Sequence, residues 1–258
     1  MAKFPVQEWH AQHLRLTVFP PPGANDRRPE WWQRMTGTEP NESTTDRKRN
    51  TALVSGEFGG GYLTLGLAPE RIDWYLTAAE GPVDPSISIE DIGPMIQSVD
   101  QFSAIAERWL AEQDTPEVAR LAFGAVLTHP EADHTAGYTR LRDYVPITVD
   151  PDWRDFVFQV NVRDLRMAAY GIAYLNRLSR WSVAARVSSR LSLTPLGIAV
   201  AGGGAAQYGL RLELDINTPA DSAGTIPRQQ LAELYRQLIA AGRAIASDGV
   251  AHEQYRLQ

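Results

Sequence analysis

The chain has 258 residues, 25 Lys+Arg against 31 Asp+Glu, a formal net charge of −6 and 43% hydrophobic residues. That composition fits a folded globular protein and excludes whole-chain disorder, while a pI near 5.4 argues against a general nucleic-acid coat. The absence of cysteine excludes disulfide frameworks, Cys-ligated zinc and thiol nucleophiles.

Taken in chain order, the first clear element is a strand over His13–Phe19. Leu14, Leu16 and Val18 point one way, Arg15 and Thr17 the other, and Pro20-Pro21-Pro22-Gly23 ends it. Pro29–Met35, with the Trp31-Trp32 pair, reads as a short helix. The two tryptophans fit an exposed contact, and the core at least as well. Gly37–Asn50 is polar and without periodicity, which predicts a surface loop. Thr51–Phe58 and Tyr62–Leu67 flank Gly59-Gly60-Gly61 as a hairpin, and Arg71–Thr77 is a further strand. Gly81–Ser88 reads as a linker.

Met95, Ile96, Val99, Phe102, Ala106, Trp109 and Leu110 then recur at helical spacing after Pro94. Val118–Thr128 is an apolar run with the character of a central strand, and Thr139–Tyr144 a short helix. Alternating runs follow at Phe156–Val162, Trp181–Ser188 and Tyr208–Asn217. In the last, Leu210, Leu212, Leu214 and Ile216 face inward and Arg211, Glu213 and Asp215 outward. A closing amphipathic helix spans Pro227–Ala246. These elements predict an α+β fold: antiparallel sheet backed by two long amphipathic helices, in two similar-sized halves, residues 1–150 and 151–258, packed as one unit.

Three segments carry a resemblance that covers most of the chain. They are Arg71-Ile72-Asp73-Trp74, Val118-Ala119-Arg120-Leu121-Ala122-Phe123 and Leu210-Arg211-Leu212-Glu213-Leu214-Asp215-Ile216. In this order they resemble a sporadically distributed family of uncharacterised bacterial proteins of about this length. The resemblance implies an antiparallel sheet backed by helices and supplies no catalytic residues.

One stretch has the residue types of a metal site: Thr128-His129-Pro130-Glu131-Ala132-Asp133-His134-Thr135-Ala136-Gly137. It resembles the metal motif of metallo-β-lactamase-fold hydrolases, with His129, Asp133 and His134 matching and Glu131 in place of a histidine. That resemblance implies a metal-activated hydroxide. The ligand count argues against it, because His252 is the sole histidine after His134 and a catalytic site needs three protein ligands. A strand end, a turn at Pro130 and capping of the next segment is the simpler reading.

Gly59-Gly60-Gly61 and Gly202-Gly203-Gly204 lack the Lys-Ser/Thr of a phosphate loop and read as hairpin turns. No serine sits in a nucleophile-elbow context. Arg163, Arg166, Arg177, Arg180, Arg186 and Arg190 make a basic stretch interleaved with Tyr170 and Trp181. Arg180, Arg186 and Arg190 are the candidate binding residues.

The expected function is therefore a non-enzymatic interaction module or accessory subunit of a bacterial multiprotein system, antiphage defence being one setting. A protein partner is expected, and no cofactor or resident metal. The alternatives are a metal-dependent hydrolase through His129, Glu131, Asp133 and His134, and a nucleic-acid-binding accessory protein acting through the arginines. No apolar run approaches the roughly 20 residues of a membrane-spanning helix and the first residues lack a secretory h-region, so the expected location is cytoplasmic without membrane contact.

Overall fold

Alternating apolar and polar residues build the sheet, and helices pack apolar side chains against it. A computed structural model of the protein describes residues 5–23, 28–79, 91–164, 171–186, 190–194, 197–201, 206–220 and 224–250. The expected linker at 81–88 and the glycine triplet at 202–204 lie outside them.

The strands are β1 (His10–Phe19), β2 (Glu42–Asp46), β3 (Thr51–Phe58), β4 (Gly61–Ala68), β5 (Arg71–Ala78), β6 (Gly93–Pro94), β7 (Arg120–Glu131), β8 (Val157–Asp164), β9 (Leu175–Arg186), β10 (Arg190–Thr194), β11 (Gly197–Ala201) and β12 (Gln207–Asn217). The helices are α1 (Trp31–Thr36), α2 (Met95–Ala111), α3 (His134–Tyr144) and α4 (Arg228–Asp248), with a 3-10 turn at Val6–Glu8. The main sheet runs β2-β3-β4-β5-β1-β7-β12-β9-β8, with β6 beside β1, and β10-β11 form a separate two-stranded sheet. Every described strand pairing is antiparallel. The α+β class with a mostly antiparallel sheet is thus the observed architecture. The sheet passes through residue 150 without a break, because β12 pairs with β7 from Tyr208↔Glu131 to Asn217↔Ala122.

The four described helices lie on one face, which contacts to inward-pointing strand residues establish. Trp32 of α1 stacks on Trp74 of β5 at 6.3 Å, and Trp109 of α2 meets the same ring edge-on at 6.1 Å. Gly137 of α3 backs onto Val183 of β9, and Gly242 of α4 onto Phe123 of β7 and Leu214 of β12. Both helix glycines are set by close approach: an added Cβ would stand 2.7 Å from Val183 Cγ1 and 3.1 Å from Phe123 Cε1. Trp31 and Trp32 are 0% and 1% exposed, which places the pair in the core.

Several boundaries differ from those expected. Within Gly37–Asn50, residues Glu42–Asp46 pair with β3. Four of those five side chains are exposed, so no apolar alternation marks the strand and backbone hydrogen bonding alone defines it. β7 continues through Pro130 to Glu131, α3 starts at His134 and β9 starts at Leu175. β10 and β11 arise where no alternation was expected.

Candidate interaction surface

The face of the sheet opposite the helices has no described helix against it. Strand periodicity forces this: with Leu14, Leu16 and Val18 at 0% exposure under the helices, His13, Arg15 and Thr17 must point the other way. Register lines these residues up with neighbours across the sheet. Asp73 lies beside Thr17, then Ala122 and Asn217; Thr77 lies beside His13, then Val126, Glu213, Arg180 and Gln159. The face is polar and internally paired at its centre. Thr17 Oγ1 donates to Asp73 Oδ1 at 2.6 Å, and Arg71 Nε reaches Asp73 Oδ2 at 2.5 Å. His13 meets Tyr75 edge-on at 5.9 Å and its buried Nε2 has no hydrogen-bond partner. Burial lowers the His13 pKa, Arg15 adds to that, and Asp73 opposes it.

The candidate arginines do not form one cluster. Arg180 is exposed on the open face, where Arg211 Nε takes Glu213 Oε1 at 3.1 Å and Arg180 Nη1 stands off at 3.9 Å from the same oxygen. Arg177 lies on the helix face near Asp164, 3.8 Å away, beside a cavity of about 350 Å³ that also touches Gln237, Ala240, Ala241 and Ala244. Arg163, on β8, lies over the Tyr174 ring at 4.6 Å. Arg186 pairs with Gln207 at the end of β9, and Arg190 with Ala201 at the start of β10; their side chains lie outside the described residues. Trp181 is 0% exposed, so it is core rather than contact surface.

The residues of the His129–His134 stretch are divided among different partners. His129 is inward-facing and 7% exposed. Its Nε2 is 2.7 Å from Glu8 Oε2 and its Nδ1 2.9 Å from Glu131 Oε1, while Arg140 Nε donates to Glu131 at 3.2 Å. Trp9 closes over the imidazole at 5.7 Å, and Tyr144 stacks at a tilt on Trp181 at 4.9 Å. Burial raises the Tyr144 hydroxyl to about 12, so it stays neutral. Asp133 caps α3, its Oδ1 accepting from the Ala136 N–H at 2.8 Å. His134 packs on Tyr138 at 4.6 Å with Arg154 Nη1 at 3.1 Å from its Nδ1. Among the described residues no group of three or more His, Asp or Glu is placed to hold a metal ion.

The structure therefore brings His129 and Glu131 together and sends Asp133 and His134 elsewhere. Glu8 and Arg140, with side chains 50% and 36% exposed, carry this polar chain out to the surface. No sequence signal marked Glu8, which lies 121 residues from His129. No family model matches the chain, and no curated protein or solved structure matches it at a significant level. No described helix is long and apolar enough to cross a membrane.

Proposed function

We propose that the protein is a non-enzymatic interaction module that docks a protein partner on the open face of its sheet, within a bacterial multiprotein system such as antiphage defence. The proposal includes the kinship with the sporadically distributed bacterial family and a cytoplasmic location. The observation that carries it is Arg180: exposed, on a face no described helix covers, and 3.9 Å from a carboxylate already held by Arg211. Such a guanidinium gives up little when it turns to an acidic group on a partner. Arg186 and Arg190 are the other two residues of the proposed contact. Arginine suits this role because it combines contact area with directed hydrogen bonds.

The test is a pull-down from native lysate with wild type and the Arg180→Glu, Arg186→Glu, Arg190→Glu triple variant. The variant is expected to melt like wild type and to lose the partner. Retention of every partner by the folded variant would overturn the proposal. Salt-dependent binding of an oligonucleotide, lost in the same variant, would replace the protein partner with nucleic acid.

A further inference from the structure

The two outer strands of the main sheet differ in how they treat a second copy of themselves. A free strand edge presents unpaired N–H and C=O groups and invites another strand unless charge, proline or a bulge prevents it. β2, Glu-Ser-Thr-Thr-Asp, is protected by its own sequence. Pairing two copies antiparallel about Thr44 sets Glu42 opposite Asp46 of the other chain, acid against acid, twice.

β8, Val-Phe-Gln-Val-Asn-Val-Arg-Asp, has the opposite character. It contains no proline or lysine, and its eight pairings with β9 run without a register shift. A two-fold axis perpendicular to the sheet keeps each face on its own side, so residues that meet must share a face. The register centred on Val160 meets this condition and is complementary from Val157 to Arg163, leaving Asp164 opposite Phe156 just outside the strand. On the helix face Val160 meets itself and Phe158 meets Val162; on the open face Gln159 meets Asn161, and Val157 meets the aliphatic stem of Arg163. Centring on Asn161 instead sets Phe158 against Asp164, which is 8% exposed and near Arg177 at 3.8 Å. The apolar residues at this edge are also incompletely covered: Phe158 and Val160 are half-buried, and Val157 is 43% exposed.

We propose that β8 is the contact strand of a homodimer, two copies pairing their β8 edges antiparallel about Val160 so that the main sheets continue as one. The helices of both copies then lie on one side and the two open faces merge on the other. Arg180 pairs with Gln159 in the β8–β9 ladder, so the two copies of Arg180 lie three strand spacings apart, roughly 14 Å across the seam. The dimer is independent of partner docking, and either can fail alone.

The experiment uses the full chain, whose lack of cysteine makes a single introduced thiol an unambiguous reporter. Under mild oxidation Val160→Cys is expected to form an intermolecular disulfide, because directly opposed strand residues have Cα atoms about 4.5–5.5 Å apart. Asn161→Cys is expected to stay reduced, its symmetry mate being a diagonal neighbour about 7–8 Å away. The exposed pair supplies a second arm that leaves the core alone. Gln159→Lys/Asn161→Lys and Gln159→Glu/Asn161→Glu are each expected to dimerise on the order of tenfold more weakly than wild type. Mixing the two is expected to restore a heterodimer in sedimentation equilibrium. A wild type that stays monomeric up to its solubility limit would overturn the proposal. So would like-charged variants that dimerise undiminished, or Asn161→Cys cross-linking as readily as Val160→Cys.

Discussion

His13 shows how one side chain on the open face couples the fold to pH. Its imidazole is partly buried, its Nε2 lacks a partner, and Arg15 opposes a positive charge there. The folded protein therefore takes up a proton less readily than the unfolded chain, whose histidine titrates near 6.5. A depressed histidine pKa means that the unfolded state binds more protons as pH falls below that value, so stability is lost on acidification. His13→Gln is expected to flatten the dependence of melting temperature on pH below 6.5, with little change above it. An equally steep acid-side fall in the variant would assign the effect to another group. Asp133 teaches a complementary lesson, since a residue with the chemistry of a metal ligand serves here as a helix cap.

Helices α2 and α4 are the elements whose burial was most plainly encoded. Their apolar stripes face each other and the sheet, and Phe102 and Leu238 are both 0% exposed. Truncating either to alanine removes buried carbon and leaves a cavity, at a cost of about 2–5 kcal/mol each. Chemical denaturation of the two variants should show unfolding free energies lower by that amount, read as lower midpoints at unchanged slope; unchanged midpoints would mean that the stripes are not core. Strands obey a weaker code. β12 was legible because its alternation is strict, with Leu210, Leu212 and Ile216 at 0% exposure and Arg211, Glu213 and Asp215 outside. β2 was not, because both of its faces meet water and no hydrophobic period exists to read.

At the scale of the whole molecule, the β7–β12 ladder decides cooperativity. Ten residue pairs cross from one half of the chain to the other. α4 packs on α2 and β7 as well as on β12. Neither 1–150 nor 151–258 keeps a complete core without the other, so unfolding is expected to be a single transition followed identically by tryptophan fluorescence and far-ultraviolet circular dichroism. Two separated transitions, or a cooperative melt from either half expressed alone, would contradict this. The same ladder joins β1 and β5 to β9 and β8, so the open face extends across both halves.

Periodicity in the sequence determined the strands with one buried face and the α+β class, because burial of an apolar stripe is a local demand that each segment states for itself. Residue type alone made His129, Glu131, Asp133 and His134 resemble a metal site, and made six arginines resemble one basic patch. Tertiary structure distributed both sets of residues. It drew Glu8 in from 121 residues away to face His129 and turned Arg177 to the helix side while Arg180 stayed outside. Side chains meet through strand register and helix docking, and those depend on which distant segments share a core, information that no single segment carries.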